Sequence, residues 1–242
     1  SEPMWVDPHI VHLTISIGVV IAEDGDGADE LLHAASLALS HAQRAGENKV
    51  RRFKQAMFAD LHAQAALETE FRSGLLRGHL VPFYQPIIAL TERGLKGFEA
   101  LARWHHPRLG ILSPGAFLPL ASDMHLGGDL LLAMLRHLCR DASRWPEHLT
   151  ISINVSPVQL CDVQLARQIL RVVYAAGLDP RRLIIEVTEE AAIDNPKAAS
   201  VAIQSFRHAG IGIALDDFGS GHASFDRLSK LEIDQLKIDR TL

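Results

Sequence analysis

Five oxygen-bearing side chains recur at comparable places in the sequence: Glu99, Asn154, Glu186 and the adjacent pair Asp216 and Asp217, each in or just after a short apolar run. Carboxylates gathered at neighbouring strand ends repel one another and raise each other's pKa unless a cation neutralises them. An oxygen-only set, without thiolate or imidazole, selects a hard divalent ion, Mg²⁺ or Mn²⁺ over Zn²⁺. Several bridging carboxylates can hold two such ions about 3.5 to 4 Å apart. Paired hard ions suggest phosphoryl chemistry. Taken singly, each acid reads equally well as a solvated strand-end residue or a helix cap, and an Asp after a strand is a common cap. Capping needs only one Asp, however, and Gly219 and Gly221 would weaken an immediate helix start. For five groups following apolar runs, one shared ion site is the better account.

Three further residues extend the constellation. Lys237 follows Leu236 near the end of the chain, and a lysine beside metal ions can have its pKa lowered and orient or deprotonate a water nucleophile. A plain salt bridge to Asp239 or Asp217 is the alternative. Arg103 could grip a phosphate through a forked pair of hydrogen bonds or form a surface ion pair. Gln85, in Tyr84-Gln85-Pro86, could read a base edge or satisfy backbone groups.

These residues need strands to carry them and helices to space the strands. From residue 79 onward, candidate strands lie at 81–88, 97–102, 150–155, 183–187, 211–215 and 235–238. Helical spacing covers 129–144, 158–175, 197–209 and 224–230, with Ser156-Pro157 as a cap followed by proline at the first helical position. Strands alternating with helices predict a parallel sheet, open or closed into a barrel. Only 81–88 and 97–102 follow each other too closely for a helical crossover, which predicts an antiparallel pair. Upstream, 14–21 alternates as a strand and 28–45 reads as a helix stopped by Gly46 and Asn48. Residues 50–77, charged and free of proline, read as one long connecting helix.

Composition narrows the class. The chain has 242 residues, of which 48% are hydrophobic, and that is ample for a core. Neither a membrane segment nor a secretory signal is evident, which makes a cytoplasmic location the default expectation. A formal charge of −5 argues against DNA or RNA as partner but leaves room for a small anion held by metals and local cations. Cys139 and Cys161 lack CxxC spacing and read as free thiols, and the histidines form neither HExxH nor HxH.

The motifs Glu99-Ala100-Leu101 with Arg103-Trp104 and His106-Pro107, Asn154-Val155-Ser156, Glu186-Val187-Thr188-Glu189, Asp216-Asp217-Phe218-Gly219 and Leu236-Lys237-Ile238-Asp239 resemble, in order and spacing, the EAL domain family. The resemblance covers residues 79–242. It implies an α/β fold, a TIM-like (β/α) barrel with an antiparallel first strand, of which six of eight strands fall within this chain. It also implies metal-dependent hydrolysis of cyclic di-GMP to linear pGpG in bacterial second-messenger signalling. Glu99, Asn154, Glu186, Asp216 and Asp217 match metal ligands, Lys237 matches the lysine acting on the nucleophilic water, and Glu99 and Lys237 together form the expected catalytic pair. Gln85, Leu101 and Arg103 match dinucleotide-contacting positions. The loop containing Phe218, Gly219, Ser220 and Gly221 matches one that links dimer contacts to the metal site, so a homodimer is expected.

Residues 1–50 resemble the tail of a GGDEF (diguanylate cyclase-like) domain through Ser16-Ile17-Gly18-Val19, Ala28-Asp29-Glu30-Leu31-Leu32 and Ala45-Gly46-Glu47-Asn48. The expected organisation is therefore a partial α/β GGDEF-like segment at 1–50, a connecting helix at 51–78 and the EAL domain from 79 to 242. Two expected barrel strands, with a further Glu and a Gln of the site, fall outside the sequence, and the chain alone is expected to be inactive. A catalytically silent EAL-like receptor or interaction module is the alternative reading.

Overall fold

The computed structural model describes residues 4–6, 9–11, 13–23, 27–46, 48–91, 93–188, 195–219 and 232–238. It divides into two compact units, residues 1–69 and 70–242.

In the first unit β1 (Met4–Val6) pairs antiparallel with β2 (His9–Val11), and β3 (Ile17–Val19) pairs parallel with β4 (Val50–Arg52). Parallel neighbours need a crossover, which helix α1 (Ala28–Arg44) supplies. The helix lies so close to β3 that a Cβ on Gly18 would collide with the Ala35 carbonyl oxygen and the Leu39 backbone. Only glycine fits there. Leu37 and Ala38 of α1 pack with Met57, and Phe53 and Phe58 close over them. The single helix expected over 50–77 is corrected: Val50–Arg52 completes the ladder with β3, and helix α2 runs only from Ala56 to Leu76. The open edge of β3 offers the backbone partners that decide this, with Ile17 N–H donating to the Lys49 carbonyl and Phe53 N–H to that of Val19. Residues of α2 up to Thr69 are counted with the first unit, and those from Glu70 with the second.

The second unit is built on one mixed sheet. Strands β5 (Leu80–Ile88) and β6 (Leu95–His106) are antiparallel, and short β7 (Gly110–Leu112) folds back onto β6. Then β8 (Thr150–Val155), β9 (Leu183–Thr188), β10 (Gly212–Phe218) and β11 (Gln235–Ile238) follow in parallel, giving the order β11-β10-β9-β8-β6-β5. Between them run α3 (Pro114–Asp123), α4 (Gly127–Ala142), α5 (Pro157–Leu160), α6 (Val163–Ala175) and α7 (Pro196–His208). The helix expected over 158–175 is split, because the Asp162 carboxylate accepts from the Gln164 and Leu165 N–H groups and starts a new helix. The helix expected at 224–230 lies outside the described residues.

Period-two alternation gives the sheet its two faces. Ile151, Ile153, Val155, Leu183, Ile185, Val187, Ile213 and Leu215 are buried, as are Leu135, Leu138, Leu160, Ile169, Val173, Ile203 and Phe206 of the helices. The residues between those strand positions, Ser152, Asn154, Glu186 and Asp216, therefore point to the other face. Register is held at the strand bases by buried Arg182, whose guanidinium donates to the carbonyls of Leu149 and Pro146. A buried charge is tolerable there because its donors are satisfied by carbonyls in place of water.

Candidate active site

Glu99, Asn154, Glu186, Asp216 and Lys237 come together although more than half the chain lies between the first and the last. Adjacent rungs of the sheet explain how. Glu99 pairs with Ser152, Asn154 with Glu186, and Glu186 with Ala214, two residues before Asp216. Each acid is thus level with, or one same-face position from, the next. Glu99 is not at the end of its strand, as the sequence suggested, since β6 continues to His106. It stands instead one residue before the last β6–β8 rung, because β6 goes on past its parallel partner to pair with β7.

Between Leu215↔Leu236 and Phe218↔Ile238 the β10–β11 register shifts, so Asp216 and Asp217 together oppose Lys237 alone. This is a bulge. Asp217 takes the left-handed conformation there, with φ 54 degrees. Aspartate tolerates that region better than most residues. The Asp217 N–H donates to Asp216 Oδ1 at 3.0 Å, fixing the first carboxylate.

Oxygens of Glu99, Glu186 and Asp216 lie within 4.8 Å of one another. The Lys237 ammonium sits among them, 2.7 Å from Glu186 Oε2, 3.1 Å from Glu99 Oε2 and 3.1 Å from Asp216 Oδ1. An ammonium has three donors, and three carboxylates take them. Asn154 Nδ2 donates to the other oxygen of Glu99 at 3.0 Å. Burial pushes the Glu186 carboxyl up, outweighing the opposing pull of Lys237. Burial would lower the lysine, but its contacts with Glu186, Asp216 and Glu99 outweigh that and hold it above the ordinary lysine range. Among the described residues the salt bridges of Lys237 run to Glu186, Glu99 and Asp216, and Asp239, one of the two partners the sequence offered, lies outside the described residues.

With all three acids ionised, one ammonium leaves two negative charges over, the charge of one divalent cation. A converging oxygen-only donor set already wrapped around a cation fits a hard metal ion.

Gln85 is exposed and pairs directly with Glu99, so the two share a face. Leu101 and Arg103 follow on that face at two-residue intervals, with Arg103 Nη1 donating to the Ala102 carbonyl at 2.8 Å. Phe218 closes β10, Gly219 follows it with φ 97 degrees, and Ser220 and Gly221 lie outside the described residues. Two features escaped the sequence reading. The Phe83 ring lies under Arg103, which strand alternation from Gln85 could have indicated. Buried His106 accepts at Nδ1 from the Arg108 and Leu109 N–H groups while Nε2 pairs with Glu70, a bracing role no spacing rule announces.

Among the described residues no helix is long and apolar enough to cross a membrane. The EAL domain family model matches residues 68–242. The bifunctional diguanylate cyclase/cyclic di-GMP phosphodiesterase MucR of Pseudomonas aeruginosa is 34% identical across 99% of this chain and 36% of its own length. The cyclic di-GMP phosphodiesterase NbdA of the same organism is 32% identical across 100% of the chain and 31% of its own. The chain thus spans about a third of the length of these curated relatives. The solved structure of the PaMucR phosphodiesterase in complex with c-di-GMP superposes with a TM-score of 0.66 at 34% identity, covering 73% of each chain. With the acid cluster, the mixed sheet and a family match over most of its length, this chain belongs to the EAL domain family.

Proposed function

We propose that this chain carries a metal-dependent phosphodiesterase that hydrolyses cyclic di-GMP to linear pGpG in bacterial signalling. The observation that carries the reading is the Glu99–Glu186–Asp216 cluster with Lys237 seated in it, in a member of a family whose similar relatives are named cyclic di-GMP phosphodiesterases. Glu99, Asn154, Glu186, Asp216 and Asp217 would hold one or two Mg²⁺ or Mn²⁺ ions. Bound there, such ions screen phosphodiester charge and acidify a coordinated water.

The chain's own groups have separable tasks. Lys237, seated among the acids, acts on the attacking water, orienting it and stabilising negative charge on phosphorus-bound oxygen. Glu99, held by Asn154 and Lys237, offers acceptor oxygens beside it. Gln85, Leu101 and Arg103 bind the parts of the dinucleotide that do not react. Water oxygen bonds to phosphorus as the P–O3′ bond breaks, and the proton that the attacking water gives up is matched by the one that the departing 3′ oxygen takes up.

Within the same reading, six of the sheet's seven strands, β5, β6 and β8 to β11, are a share of a TIM-like barrel, the unit acts as a homodimer in the cytoplasm, and the Phe218–Gly219–Ser220–Gly221 loop ties dimer contacts to the site. Residues 1–50 form the GGDEF-like segment, a reading supported by the β3–α1–β4 unit and by MucR matching the chain over that stretch as well.

The test is pGpG release from cyclic di-GMP by the intact protein with Mn²⁺, alongside Glu99→Gln. Turnover in the wild type and its loss, with weaker Mn²⁺ binding, in the variant is the expected result. Cyclic di-GMP bound but not cleaved by the wild type would replace the enzyme with a receptor, and undiminished turnover in Glu99→Gln would remove this cluster from the chemistry.

A further inference from the structure

Arg103 is held by an aromatic ring. Its guanidinium carbon stands 5.7 Å from the centroid of Phe83. Among the described residues no carboxylate pairs with it, while Arg108, Arg140, Arg181 and Arg207 all have acidic partners. The pairing of β5 with β6 sets this up. Gln85 opposes Glu99, Phe83 opposes Leu101 and Val81 opposes Arg103, which makes Phe83 and Arg103 diagonal neighbours on the face that carries the acid cluster. His105 also packs against the ring, edge-on with the centroids 5.8 Å apart and the planes at 80°. Phe83 nevertheless remains 41% exposed.

An aromatic face and a carboxylate restrain an arginine differently. A carboxylate takes the forked N–H donors and cancels the charge. A ring attracts the cation through its quadrupole and leaves both the charge and most of the donors available. Among the described residues one guanidinium donor of Arg103 is engaged, by the Ala102 carbonyl.

We propose that Phe83 is a positioning residue that fixes the Arg103 guanidinium, still charged and with free donors, for an anionic phosphodiester ligand. This rests on the phosphodiesterase reading above. Arg103 lies four positions beyond Glu99 on β6, a span of about 14 Å along the backbone at the usual rise of a strand. The arginine therefore grips a part of the ligand away from the reacting phosphorus, and the effect falls on binding, with the chemical step unchanged.

The experiment measures KM and kcat for cyclic di-GMP with Mn²⁺ in the intact protein, for wild type, Phe83→Leu, Phe83→Tyr, Arg103→Ala and the Phe83→Leu/Arg103→Ala double variant. Leucine keeps apolar bulk but lacks the quadrupole, so KM should rise roughly two- to fivefold with kcat unchanged. Tyrosine should restore the wild-type KM, and Phe83→Leu should add nothing once Arg103 is gone. The same rise in both backgrounds, a loss confined to kcat, or failure of tyrosine to rescue would overturn the proposal. Wild-type turnover with an unaffected Phe83→Leu variant would remove this proposal alone. A wild type that neither binds nor cleaves cyclic di-GMP would remove the phosphodiesterase reading and this proposal with it.

Discussion

Replacing Lys237 by methionine should tighten Mn²⁺ binding while abolishing hydrolysis, two effects of opposite sign from one substitution. The ammonium occupies the three carboxylates that an incoming ion would use, at 2.7 to 3.1 Å. A hydrogen bond between charged groups contributes about 1.5 to 3 kcal/mol, and three of them would give a large sum. Desolvating the lysine and the buried Glu186 offsets most of it, so the net hold is nearer that of one bond, about 1.5 to 3 kcal/mol. A divalent ion competing for those oxygens forfeits that amount, and its removal corresponds to about a ten- to hundredfold gain in affinity. Methionine fills a similar length without charge, and it leaves the metal-free acids mutually repelling, which favours the ion further. Titration calorimetry with Mn²⁺ at pH 8, where protons compete little for the carboxylates, reads the gain directly. Unchanged or weaker binding in Lys237→Met would show that the lysine supports the ion and does not compete with it, and the counter-ion argument would fail.

Gly74→Ala should destabilise the protein, because the added Cβ would lie 2.8 Å from Trp104 Nε1. The indole is wedged by Phe71, Phe117 and His106 and has little room to yield. An overpacking cost of about 1 to 3 kcal/mol exceeds the helix-propensity gain of up to about 1 kcal/mol, which leaves a net loss on the order of 1 kcal/mol. A higher denaturation midpoint for the variant would mean that the ring gives way easily. Acid should weaken the brace between α2 and β6, where the His106 hydrogen bond, aided by Arg108, holds the Glu70 carboxyl below the usual range. A folded pKa below the unfolded one stabilises fully above about pH 4.3 and loses that stabilisation as pH falls through the folded value. The thermal midpoints of wild type and Glu70→Gln should therefore converge on acidification, and a gap constant from pH 6 to pH 3 would rule out ionisation of Glu70 as its source.

Where the fold is legible in the sequence, one strong local signal suffices. Strands 150–155 and 235–238 match to the residue because their apolar runs end at turn-forming or charged neighbours. Ser156-Pro157 marks a helix start that the Gln159 capping box completes. Helix α3 is not legible, because Gly115 and Pro119 count against helix. It forms nonetheless, with Pro114 at its start and Phe117, Leu120 and Ala121 buried, so tertiary packing overrides propensity there. Strand β4 reads as helix because its partner, β3, lies far upstream, and a local pattern carries no information about a distant open edge.

The site divides along the same line. Residue type names the acids, since oxygen donors recurring after apolar runs are a compositional signal. Their joint geometry depends on register, which no single strand reveals: slipping β9 by one residue would turn Glu186 into the helix layer and place Val187 among the acids. The charge state of Lys237 depends on register twice over. Without the bulge, Asp216 and Lys237 would keep the simple level pairing of Leu215 with Leu236, and Asp217 would face Ile238. The extra residue sets both aspartates against the lysine and lets the Asp217 N–H pin the Asp216 carboxylate. A lysine in one acidic contact could shed its proton under the pull of burial. With three acids around it, their contacts outweigh burial and hold the lysine above its ordinary range. It thereby holds together carboxylates that would otherwise repel.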